Sequence, residues 1–177
     1  IKSISGPEGL TLQYYEKFVA NRYYYQSFLN TLLLGVLTTV VCLGAGFCIA
    51  YMSTRGPIRL RAPLKLITLL PLVAPPFIFA LSLIILLGRN GMVTNALNLE
   101  WSIYGFKGVV IAQTLAFLPL AYMMIENTLS SLNPNLEDSA ANLGATEGKI
   151  LRSVTLPLLT PGFLKAGLIV FVLAIAE

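Results

Sequence analysis

The sequence predicts an all-α integral membrane protein, built as a polytopic helical bundle. Apolar residues make up 56% of the 177-residue chain and charged residues only 11%, against about 25% charged in an average soluble domain. The charges are also grouped, with no Asp, Glu, Lys or Arg in 28–52, 66–87 or 108–125. Those runs hold 25, 22 and 18 residues, and about 20 helical residues cross the hydrocarbon core of a bilayer. Mean hydropathy is +0.76 and histidine is absent. Disorder, nucleic-acid binding and a soluble enzyme are therefore poor readings. The net charge of +4 reflects basic loops held on the cytoplasmic side of a membrane, and no acidic partner is needed to explain it.

Residues 1–27 carry Tyr14, Tyr15, Tyr23, Tyr24 and Tyr25, the aromatic belt expected just outside a span. They lack the apolar centre of a signal peptide. The first span, 28–52, contains Gly35, Gly44, Gly46 and Ala50, small residues that let neighbouring helices approach closely. Cys42 and Cys48 both fall in it, on different faces, as small apolar packing residues. The connection 53–65 holds Arg55, Arg59, Arg61 and Lys65 and no acid, which places it in the cytoplasm and puts 1–27 on the opposite, periplasmic side.

The second span, 66–87, contains Pro71 and the pair Pro75-Pro76. Those prolines are either packing kinks or a hinge in a pathway. Trp101 and Tyr104 mark the next interface, and the third span, 108–125, is interrupted by Pro119. A polar stretch, 126–161, precedes a fourth span, 162–177, which the chain end truncates. The whole, 1–177, thus reads as a single transmembrane domain and as a fragment of a longer one.

Residues 133–157 carry the most information. Asn133 is a good N-cap, Pro134 a good first helical residue, and Glu137 and Asp138 suit the positive end of a helix dipole. Leu136, Ala140 and Leu143 recur at i, i+4 and i+7 as one apolar stripe, and Gly144 follows where a left-handed cap would end the helix. Thr146 can cap a second helix leading through Ile150, Leu151 and Val154 to Leu156-Pro157. A helix, a glycine turn and a helix are expected outside the membrane. The mixed charge of the segment, with Glu147, Lys149 and Arg152, favours a groove on a partner protein over a lipid surface.

This segment resembles the cytoplasmic loop of the permease subunits of binding-protein-dependent ABC importers. The family signature reads E-A-A, three residues, G, nine residues, I-x-L-P. Here Asp138-Ser139-Ala140, Gly144 and Val154-Thr155-Leu156-Pro157 keep both spacings, with Asp for Glu, Ser for Ala and Val for Ile. The resemblance implies a six-span-type permease unit, about four spans of which are visible, in the inner membrane, with a coupling helix that docks on a cytoplasmic ATPase. Glu137, Asp138, Ser139, Ala140, Leu143, Gly144, Ala145, Lys149, Val154, Leu156 and Pro157 become the expected docking residues. Implied partners are ATP-binding cassette subunits, a periplasmic or lipoprotein solute-binding protein, a second permease half (identical or fused) and membrane lipid, with no nucleic acid. The stretch Ser102-Ile103-Tyr104-Gly105-Phe106-Lys107-Gly108, with Gln113-Thr114, looks like the ferric-iron group. Relatives of that group carry phosphonate, thiamine, polyamine or sulfate.

No phosphate loop of the G-x-x-x-x-G-K-[ST] kind is present, so ATP is expected on a partner chain and no cofactor on this one. No catalytic or metal-binding set is expected either. A secondary, ion-coupled transporter normally carries ionisable residues within its spans, and the three complete runs have none. That reading and a purely structural membrane subunit remain the alternatives. Asn30, Thr38, Thr39, Ser82, Gln113 and Thr114 are the polar candidates for a translocation path, set against ordinary helix-to-helix hydrogen bonding.

Overall fold

In the computed structural model the described residues are 5–6, 9–10, 21–56, 58–97 and 103–176. Tyr14, Tyr15, Trp101 and Ser102, read above from the sequence, lie outside them. Among the described residues, a two-residue antiparallel pairing of β1 (Ser5–Gly6) with β2 (Gly9–Leu10) is the one departure from helix in the regular elements.

Helix α1 (Arg22–Arg55) has 34 residues, or about 51 Å at 1.5 Å per residue, well beyond the ~30 Å apolar core of a bilayer. It begins where Asn21 Oδ1 accepts the Tyr23 backbone N–H at 3.0 Å. It overruns the expected 28–52 at both ends, because polarity changes there while helix-forming tendency does not. Arg55 closes the last turn, where the dipole favours a cation.

The expected second span is not one helix. Helix α2 (Ile58–Leu69) gives way to a 3-10 turn at Leu70–Val73, and α3 (Pro76–Leu87) starts afresh. Pro75 forces Ala74 into an extended conformation with ψ 136. The freed backbone groups are re-satisfied locally, by Ala74 N–H to the Pro71 carbonyl at 3.1 Å and Ile78 N–H to the Pro75 carbonyl at 3.0 Å. The prolines therefore separate two 12-residue helices, of which only α3 lies wholly within the expected 66–87.

The short α4 (Met92–Ala96) leads toward α5 (Phe106–Ser131), which absorbs Pro119 without breaking. Then come α6 (Pro134–Asn142), α7 (Glu147–Ile150), a π-helical turn at Leu151–Thr155, and α8 (Leu156–Ala176). Four stretches among the described residues are long and apolar enough to cross a membrane: Arg22–Arg55, Pro76–Ala96, Phe106–Ser131 and Glu147–Ala176.

The core is the three-helix contact of α1, α5 and α8, with α3 laid against α5. One cluster joins Cys42, Phe117, Ala121, Val170 and Ala174, and a second joins Ala50, Tyr122, Ile125 and Ala166. Small residues make this contact possible. A Cβ on Gly46 would lie 3.2 Å from the Tyr122 backbone nitrogen, and one on Gly162 only 2.5 Å from Thr128 Oγ1. Gly35, Gly46 and Ala50 are buried as expected, but Gly44 has open space beside it. The outward faces stay apolar, with Leu66, Val73, Phe77, Ile85 and Leu168 exposed. Lipid tails accommodate such faces without penalty.

Candidate docking helix and the polar positions of the bundle

Helix α6 is built by its own end signals. Asn133 Oδ1 accepts the Asn135 N–H at 3.0 Å, and Pro134 occupies the first turn, where no N–H is missed. At the other end Gly144 adopts φ 82, with Gly144 N–H bonded to the Ala141 carbonyl at 2.9 Å and Ala145 N–H to the Ala140 carbonyl at 3.1 Å. That pair of bonds is a Schellman motif.

The second half of the segment differs from expectation. Thr146 starts α7 with its carbonyl, which accepts from Lys149 N–H and Ile150 N–H at 2.9 Å each, and its side chain makes no cap bond. The helix then runs on through the π turn into α8. The helix that carries the fourth apolar stretch therefore begins at Glu147, ahead of the expected 162, and the separate second helix merges with it. Leu156 N–H reaches back to the Leu151 carbonyl. This widened turn directly precedes Pro157, whose ring a regular α-helical turn accommodates poorly.

None of the nine residues of α6 is buried. Leu143 is 88% exposed at its tip and Leu136 is 49% exposed. Asp138, Ser139, Gly144, Lys149 and Pro157 are exposed, while Ala140, Ala145, Val154 and Leu156 are half-buried. The two leucines of the apolar stripe thus stand exposed, while Ala140 between them is half-buried.

Glu137 departs from the expected docking set by facing inward. Its Oε2 lies 2.9 Å from Arg55 Nε at the end of α1, and its Oε1 accepts from Thr155 Oγ1 at 2.9 Å. Sequence reading missed both partners, since neither stands at a helical spacing from Glu137. The same end of the bundle holds two further ties. Lys65 Nζ donates to Glu126 at 3.1 Å, and that bond with its charge holds the lysine above its ordinary pKa. Tyr122 Oη donates to Ser53 Oγ at 3.2 Å.

The polar positions of the spans divide sharply. Gln113, expected on a pathway, is 8% exposed and clamped between helices. Its Oε1 accepts from Thr38 Oγ1 at 3.1 Å, and its Nε2 donates to the Ala174 carbonyl at 3.0 Å. This ties α1, α5 and α8 together. Thr39 Oγ1 bonds to its own helix at the Gly35 carbonyl, 2.7 Å away. Cys42 Sγ approaches the Thr114 carbonyl at 3.7 Å, and Thr114 Oγ1 is buried without a partner. Asn30 and Ser82 are exposed on outer faces.

A cavity of about 480 Å³ opens between α3 and α5, lined by Phe77, Ala80, Ile84, Val109, Ala112 and Gln113 among others. Of the six polar candidates for a path, only Gln113 borders it. No group of three His, Cys, Asp or Glu able to hold a metal occurs among the described residues.

Comparison with known proteins places these features. Residues 43–177 match the family described as "Binding-protein-dependent transport system inner membrane component". A ferric transport system permease protein of Haemophilus influenzae is 32% identical over 174 residues, 95% of this chain and 26% of the relative. Its counterpart in Actinobacillus pleuropneumoniae is 33% identical over 154 residues, 84% of this chain and 22% of the relative. A molybdenum transport system permease protein, ModB, of Mycobacterium bovis is 34% identical over 154 residues and 58% of its own length. The chain thus spans about a quarter of the two ferric relatives. A crystal structure of an amino acid ABC transporter with histidines shares the fold, with a TM-score of 0.59 over 90% of this chain and 72% of that one, at 19% identity. The family match over 43–177, the identity to these relatives and the membrane-length apolar helices agree: the chain is a multi-pass inner-membrane protein of the binding-protein-dependent, ABC-type permeases.

Proposed function

We propose that the chain is one permease unit of an ABC importer, with the α6 end of its bundle in the cytoplasm and α6 seated on a separate ATP-binding cassette subunit. The observation that carries this is Leu143. An apolar side chain 88% exposed at the tip of a helix that buries nothing of its own contributes little to folding, yet about 1.5–3 kcal/mol on entering a partner's pocket. Asp138, Ser139, Lys149 and the Gly144 turn surround it as an exposed rim. The mixed charges fit a protein surface better than a lipid one.

ATP is bound and hydrolysed by the partner, and this chain supplies the passage. A solute-binding protein delivers cargo on the other face, and a second permease half, identical or fused, completes the path. The cargo is ferric iron on this reading, supported by the two ferric relatives. The ModB relatives, matched over more of their own length, favour molybdate as the second reading. Uptake of radiolabelled ferric iron and of radiolabelled molybdate, measured in cells with and without the full-length protein, tests both. Iron uptake that depends on the protein supports the first, molybdate uptake the second, and dependence of neither contradicts the cargo assignment.

A further inference from the structure

We infer that Glu137 is a positioning residue whose single carboxylate makes α6 a lever on the bundle, tying the docking helix to the end of α1 through Arg55 and to the start of α8 through Thr155. The inference rests on the docking reading above, and it gives Glu137 a role inside the chain in place of one on the partner's surface.

The argument begins with what does not hold α6. The helix buries none of its residues, and its backbone packs mainly against 147–155. Its two connections are the short link at 132–133 and the left-handed turn at Gly144. Hydrophobic packing therefore cannot fix its direction.

Among the described residues, Glu137 is the α6 side chain that forms an ion pair and a hydrogen bond to other elements, and it uses both oxygens. Oε2 meets Arg55 Nε at 2.9 Å, and Oε1 accepts from Thr155 Oγ1 at 2.9 Å. The ion pair is partly sheltered, with the two side chains 24% and 21% exposed, so salt screens it less than an open surface pair. Arg55 is the last residue of α1, where the helix dipole already favours a cation. Thr155 is buried and closes the π turn that joins α7 to α8, and such turns often mark functional positions in helices.

The mechanical consequence follows from the core. Helices α1 and α8 pack on each other and on α5. A displacement of α6 imposed by a partner therefore reaches two of the three core helices through one carboxylate. With the tie cut, α6 can still dock but swings on its two connections.

The test uses the complete transporter, with the full-length protein, its ATPase and its binding protein in proteoliposomes. Cargo uptake and ATP hydrolysis are read side by side. Glu137→Gln is expected to keep abundance and ATPase copurification near the parent's while cargo moved per ATP falls about fivefold or more. Arg55→Glu alone is expected to lower the same ratio. Combining Glu137→Arg with Arg55→Glu is expected to recover about half of it, since a threonine hydroxyl can accept from arginine as well as donate to a carboxylate. An unchanged ratio in Glu137→Gln, or a double variant no better than the worse single one, overturns the proposal. If a single variant loses abundance, the double variant decides, by restoring both abundance and ratio or by failing to restore the ratio. Leu143→Asp in the same preparation separates the two claims. Lost copurification there beside a silent Glu137→Gln leaves docking standing and removes the lever, whereas retained copurification removes docking itself.

Discussion

Helices α5 and α6 follow one another in the chain and are held by opposite means. Of the 26 residues of α5, eight are buried, including Tyr122, Ile125 and Leu129 with no exposure at all. Of the nine residues of α6, none is. The first is fixed by close packing, with glycines of α1 and α8 admitting its backbone and side chains. The second is fixed by an asparagine cap, a Schellman turn and one ion pair. The difference teaches where a substitution should act. Changes on α5 and its neighbours should alter how much folded protein exists, and changes on α6 should alter what the folded protein does with its partners.

The largest expected effect is on the packed side. Gly162→Leu places a side chain where even a Cβ lies 2.5 Å from Thr128 Oγ1 and 2.8 Å from Thr128 Cβ. Overpacking of this kind costs about 1–3 kcal/mol and at times more. The thermal midpoint in detergent and the membrane abundance should both fall. A parent-like midpoint would mean that α5 and α8 are less tightly apposed than described.

Leu143→Asp comes next and should leave that midpoint unchanged. Losing about 1.5–3 kcal/mol of burial at an interface corresponds to roughly a tenfold to hundredfold loss of ATPase affinity. Titrating detergent-solubilised permease with the purified ATPase measures it. Gly144→Val follows. A Cβ there meets nothing within 4 Å in this chain, so the cost is the φ of 82 alone, about 1–2 kcal/mol. Abundance should stay near normal while uptake and binding-protein-stimulated ATP hydrolysis collapse, because the strain redirects the turn beside the docked face. Asp138→Lys should act similarly by reversing charge in the first turns of α6. Full transport in either variant would make Gly144 and Asp138 ordinary features of a solvated helix.

The smallest effect is expected at Gln113. Gln113→Leu removes bonds to Thr38 Oγ1 and the Ala174 carbonyl, and intramembrane hydrogen bonds average only about 0.6 kcal/mol. A slight fall in midpoint with an unchanged KM for cargo is the expected pair of results. A changed KM with an unchanged midpoint would return Gln113 to the pathway.

The parts of the fold that were legible in the sequence are those with local causes. Asn133, Pro134 and Gly144 place both ends of α6 to the residue, because caps and left-handed turns depend on the residues at hand. The runs 28–52 and 108–125 lie within apolar helices of membrane length, but 66–87 straddles two helices and the membrane-length stretch there is Pro76–Ala96, since apolar length does not register how far consecutive prolines disrupt a backbone. The last helix starts earlier than Pro157 and Pro161 suggest, because a π turn directly precedes Pro157 and the helix runs on through Pro161. Polar residues were the least legible. Gln113 and Thr114 stand side by side, yet Gln113 ties three helices and Thr114 Oγ1 finds no partner. Only the packing of distant segments decides which. The same holds for Glu137, whose partners Arg55 and Thr155 are brought to it by the bundle.

One measurement tests the docking of α6 most directly. With Cys42 and Cys48 replaced, a single cysteine is placed at Leu143 and probed with an impermeant thiol reagent in inside-out membrane vesicles, with the ATPase stripped and then restored. The docking account predicts rapid labelling in stripped vesicles, protection once the ATPase returns, and no labelling in intact cells. Labelling in intact cells, or labelling of inside-out vesicles that the ATPase leaves unchanged, would contradict it.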